Sequence, residues 1–143
     1  MRKTALIMAG AALCALAPTA AMAQSTLTGM LTVQKGTGPE LECFAEIDID
    51  GDTPETSTQV TGISLTGGLL GFCASVQFPS VPDDIVQGGG SFTVEDVYAD
   101  TTITEGDCEG DLVGSVSGGV VTLNTTLPEV TGGGDCTING SVS

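Results

Sequence analysis

Apolar and polar residues alternate with period two along most of this chain, the pattern of strands that bury one face. The clearest run is Leu41 to Asp50. There Leu41, Cys43, Ala45, Ile47 and Ile49 alternate with Glu42, Phe44, Glu46, Asp48 and Asp50, and Gly51-Asp52 ends the strand as a turn. Three more strands follow near the C-terminus. Cys108, Gly110, Leu112, Gly114 and Val116 share one face; so do Val121, Leu123, Thr125 and Leu127; so do Cys136, Ile138, Gly140 and Val142. Ser117-Gly118-Gly119 and Thr131 to Gly134 supply the turns between them. Cys108 and Cys136 fall on the inward parity of the outer two strands, so a bridge between them would tie this meander shut.

The same reading predicts an opening strand over Thr26 to Val33, with Leu27, Leu31 and Val33 inward, then a turn from Lys35 to Pro39. Gln59 to Thr66 reads as a strand bulged near Gly62, where the apolar parity switches from Val60 to Ile63 and Leu65. Leu69 to Phe78 reads as another. Pro79 to Gly90 is a connector, a seam between two halves. Phe92 to Tyr98 returns to strand, with Phe92, Val94 and Tyr98 on one side, and Thr101 to Thr104 adds a short one. Leu65-Thr66-Gly67-Gly68 leading to Cys73 echoes Val130-Thr131-Gly132-Gly133 leading to Cys136, a weak internal repeat. The expectation is an all-β fold, a single antiparallel β-sandwich or closed β-barrel of about 8–10 short strands.

The first residues stand outside that pattern. Arg2 and Lys3 precede an apolar run from Ala5 to Ala17, and Ala21-Met22-Ala23 precedes Gln24. A positive start, a short apolar middle and an A-x-A end predict a secretory signal peptide over 1–23. The run is shorter than the ~20 residues of a membrane span. Residues 24–143 then form a single disulfide-stapled β domain, secreted to the periplasm, cell surface or medium of a bacterium.

Removing that segment changes the charge. Lys35 is left as the one cation against 18 acids, a formal charge of 1 − 18 = −17 over 143 − 23 = 120 residues. Such a surface repels phosphate backbones and anionic lipid, which argues against nucleic acid and against electrostatic membrane docking. Four cysteines remain, Cys43, Cys73, Cys108 and Cys136, an even count that reads as a disulfide framework in an exported chain. Three pairings are open; Cys43–Cys73 with Cys108–Cys136 is favoured because each staples one half. A structural zinc site would want near-neighbour ligand pairs, and there is no histidine.

Asp48, Asp50 and Asp52 before Glu55 are the one stretch that looks like a metal loop. Converging carboxylates suit calcium, but position twelve of that register is Ser57 where a bidentate Glu is needed. The plainer reading is a strand's polar face and its turn. Glu105, Asp107, Glu109 and Asp111 form a second acidic ladder with the same plain reading. Without histidine, a serine or cysteine nucleophile has no ordinary base, and four Phe and one Tyr are few for a sugar-stacking cleft. Gly88-Gly89-Gly90 is followed by no lysine or helix, so it is no phosphate loop. The chain reads as no enzyme, with no cofactor. Asn124-Thr-Thr126 and Asn139-Gly-Ser141 match the glycosylation triplet, a pattern that threonine-rich chains produce by chance.

Cys108 followed by Leu-Val-Gly-Ser, then Thr-Leu-Pro128, then Gly-Gly-Asp-Cys136-Thr-Ile-Asn-Gly-Ser, resembles the small secreted proteins called protein activator of alkane oxidation (PraB-type). Gly71-Phe-Cys73-Ala-Ser-Val76 resembles their upstream cysteine strand. The resemblance implies an exported, non-enzymatic protein linked to growth on hydrophobic substrates and to surface attachment or biofilm. Two functions follow. One is an interaction protein, self-associating or meeting a cell or hydrophobic surface, with calcium bridging its acids. The other is a small β-barrel carrier for an apolar ligand.

Overall fold

The computed structural model describes residues 24–102 and 104–143, so the expected signal peptide over 1–23 lies outside the described residues. Nine strands form: β1 Ser25–Lys35, β2 Leu41–Ile49, β3 Gln59–Thr66, β4 Val76–Gln77, β5 Asp83–Gly88, β6 Ser91–Thr101, β7 Cys108–Ser117, β8 Val120–Leu127 and β9 Cys136–Val142. Every pairing is antiparallel. Around the wall the order is β1, β2, β3, β5, β6, β7, β8, β9 and back to β1, while β4 lies beside the upper end of β6. The fold is a closed eight-stranded up-and-down β-barrel, the barrel alternative of the two expected.

Period two dictates the interior. Leu27, Leu31 and Val33 of β1, the five odd positions of β2, and Leu112, Val116, Val121, Leu123, Leu127, Ile138 and Val142 are all buried in one cluster. An eight-stranded barrel encloses a space that side chains can fill. Gly29 and Gly140 let β1 and β9 bend across each other, since a Cβ on either would collide with the carbonyl oxygen of Ser141 or Met30. The bulge expected near Gly62 is present, for the register shifts between Asp48↔Gly62 and Ile49↔Val60. Both favoured disulfides form, Cys43–Cys73 and Cys108–Cys136.

Five expectations are corrected. Leu69 to Phe78 is mostly not a strand: Leu69–Ser75 is a 3-10 helix with a kink, and only Val76–Gln77 pairs in β4. Gly67 and Gly68 at positive φ start that turn, and so Cys73 comes inward without following strand parity. The connector Pro79 to Gly90 contains β5, which pairs through Asp83 and Asp84 with β3 and forms a hairpin with β6. In β6 the buried set is Phe92, Val94, Val97, Ala99 and Thr101, with Tyr98 on the other side. A bulge between Val94 and Val97, with Asp96 at φ 54, flips the parity. Past Thr101 no strand is described, and Ile103 lies outside the described residues. The suggested repeat fails too, since Cys73 sits in a 3-10 turn and Cys136 opens a seven-residue strand.

Candidate functional site

The barrel's interior is occupied by its own side chains. At the upper end the space lined by Val33, Lys35, Leu41, Val76, Thr101 and Cys136 is about 30 Å³, room for one water and not for an alkyl chain. Lys35 belongs to this end. The sequence pattern placed it in a turn, yet it continues the inward parity of Leu31 and Val33 and is buried. Its ammonium donates to the carbonyls of Gly134 at 2.6 Å and Gly132 at 3.0 Å, and lies 3.4 Å from Cys108 Sγ. The one cation among the described residues therefore latches the glycine loop over the barrel and is turned away from solvent.

Apolar chemistry is instead carried on the outside. Met30 and Phe44 project outward from paired positions on β1 and β2, 56% and 41% exposed. Phe44 pairs in turn with Thr66 at the end of β3. Beyond Thr66 the chain turns through Gly67 and Gly68 and presents Leu69 and Leu70, 73% and 83% exposed. Leu70 is held at φ 56, ψ 21, a left-handed conformation that costs a non-glycine residue about 1–3 kcal/mol. No burial repays that cost. The base of the tip is fixed, because Cys73 bonds to Cys43 inside the barrel and its N–H donates to Gly67 O at 3.2 Å. Below the tip a groove of about 640 Å³ runs between Met30, Leu69 and the carboxylate-bearing Glu40 and Glu42.

The carboxylates singled out in the sequence are kept apart. Asp48 accepts a hydrogen bond from Thr26 at 2.6 Å, and Asp52 is exposed. Asp50 turns back to accept from the Thr58 hydroxyl and from the backbone N–H of Thr58 and Gln59, which holds its carboxyl below the usual range. Among the described residues no group of three acids or cysteines is placed to hold a metal ion. In the second ladder Asp107 accepts from the Tyr98 hydroxyl and from Thr101 N–H, and Asp111 accepts from Asp96 N–H. The Tyr98 bond depresses Asp107 and pushes Tyr98 up to about 12. Glu55 accepts from Gly119 N–H at 2.7 Å, tying the loop after β2 to the β7–β8 turn, and is likewise lowered. Asp48, Asp50, Glu55, Asp107 and Asp111 are thus structural acceptors. The outer patch was missed because Met30 and Phe44 lie on the polar parity of their strands, and that mismatch was the signal to follow.

A protein-family model described as alkane oxidation protein activator, PraA/PraB-like, matches residues 1–143. The chain belongs to that family. Neither a curated protein nor a solved structure matches it. The family's description names an activator of alkane oxidation. Its two disulfides fit an oxidising compartment, periplasmic or extracellular.

Proposed function

We propose that the protein is exported, performs no chemistry of its own, and promotes contact between the cell and hydrophobic substrates or surfaces, in adhesion or biofilm as well as in growth on alkanes. The observation that carries this reading is the pairing of a filled barrel with an outer patch of Met30, Phe44, Leu69 and Leu70. Exposed apolar side chains gathered at one place mark an interaction site. The carboxylates of β2, β5, β6, β7 and the loops keep the protein soluble until the patch meets an apolar phase.

Adsorption to a hexadecane–water interface, followed by drop tensiometry, tests the proposal. The exported protein should lower interfacial tension in a concentration-dependent way, with the barrel's disulfides intact. A protein that leaves the tension unchanged refutes it. Equimolar co-purification of one apolar ligand would transfer the function to the carrier alternative.

A further inference from the structure

The 18 acids of the chain are not spread evenly. They lie on β2, β5, β6 and β7 and in the loops; β1, β8 and β9 carry none, and Lys35, their single charged side chain, points inward. These three strands are consecutive in the barrel, β8–β9–β1, so they form one unbroken wall without a charge. Thr122 pairs with Ser141 and Ser141 with Met30; Asn124 pairs with Asn139 and Asn139 with Thr32. Hydroxyls and amides line the wall around one thioether, with Val120 exposed where β8 begins.

We propose that this wall is the face on which a second copy of the chain docks. At a mature charge of 1 − 18 = −17, two copies that meet through β2, β5, β6 or β7 set carboxylates against carboxylates, and β3, which carries no acid, lies between the acidic β2 and β5. Nowhere else in the barrel do three adjacent strands lack an acid. The wall is also self-complementary in chemistry, because hydroxyls and amides both donate and accept, so one patch can face its own image across a two-fold axis. Met30 lies within it, more than half exposed and able to fit an irregular partner surface. Three strands at about 4.8 Å spacing and about 25 Å length give roughly 350 Å² per copy. That is below a standard interface, so the dimer is weak and reversible. Flanking carboxylates still repel at longer range, so screening by salt strengthens it.

Sedimentation equilibrium of the exported protein, with no apolar phase present, tests this independently of the function proposed above. Dimer should appear at high concentration and increase between about 0.02 and about 0.5 M sodium chloride. Asn139→Asp sets a carboxylate against its image and should weaken dimerisation about tenfold or more at low salt. Val86→Asp adds the same charge on β5 and should change it by no more than about twofold. If Asn139→Asp fails to fold, Met30→Gln, which adds no charge, should still weaken the dimer. A wild-type protein that stays monomeric throughout overturns the proposal, as does undiminished association of the wall variants. Binding of a neutral polysaccharide to a strictly monomeric protein would give the wall to that occupant instead.

Discussion

Replacing both residues of the tip, as Leu69→Ser with Leu70→Asn, separates adsorption from stability. Full burial of a leucine is worth about 1.5–3 kcal/mol. Scaled by exposures of 73% and 83%, the pair should supply roughly 2–5 kcal/mol when it enters a hydrocarbon phase. At 1.4 kcal/mol per decade the variant's adsorption constant should fall by about 30-fold or more. The fold should not suffer. Leu70 has a left-handed backbone that asparagine adopts at lower cost, and neither leucine is buried, so the melting temperature should hold or rise slightly. The assay is a hexadecane adsorption isotherm beside a thermal melt of the same preparation. Adsorption that survives within about threefold would show that the tip is not the contact, whatever becomes of the wider function. A large loss of melting temperature would show that the leucines hold the fold and that the exposure argument is wrong.

Lys35→Met keeps the buried stem but leaves the carbonyls of Gly132 and Gly134 without their donor; it should cost about 2–4 kcal/mol in urea unfolding, and a cost below about 0.5 kcal/mol would refute the latch. Each disulfide closes a loop of 30 or 28 residues, worth roughly 3.6 kcal/mol on the loop-closure model; thiol labelling of denatured, unreduced protein with peptide mapping should find Cys43, Cys73, Cys108 and Cys136 all unlabelled, and label on any of the four would contradict it. Asp50, Glu55 and Asp107 have lowered folded values, so their contribution is present above about pH 4 and is lost as pH falls through those values. Tyr98 is raised, so its contribution is complete below its ordinary 10.0 and is lost as pH climbs to about 12; thermal melts of Tyr98→Phe should show a flatter alkaline limb than wild type, and identical limbs would refute the assignment.

The strands legible in the sequence were those whose faces differ sharply. In β2, acids alternate with Leu, Ala and Ile, and β7, β8 and β9 keep one parity from end to end, so their inward residues are the ones read from the pattern. Failures came where one residue breaks the period. Asp96 takes a positive φ and moves Val97 inward, a conformation that nothing in the local alternation marks. Leu69 to Phe78 is apolar enough for a strand, but two glycines at positive φ and a cysteine pulled inward by its bond make a turn of it. The disulfide pairing was legible as a preference, and closure of the wall decided it. The patch was hidden because Leu69 and Leu70 read as buried strand until the turn turned them outward.

Closure of the barrel depends on an uneven seam. β3 meets β5 through only two residue pairs, Gln59↔Asp84 and Val60↔Asp83, while β1 meets β2 through nine. If the wall parts anywhere first, it parts there, and a ring without ends becomes a ribbon with two. Open ribbons recruit other strands and grow into fibres. Here the exposed lip would carry Asp83 and Asp84, just after Pro79 and Pro82, which have no N–H to offer. Charge and proline are the features that blunt such a lip against propagation. The thinnest seam of the barrel wall is thus flanked by its own gatekeepers, so transient opening should end in reclosure, with little drift toward aggregate.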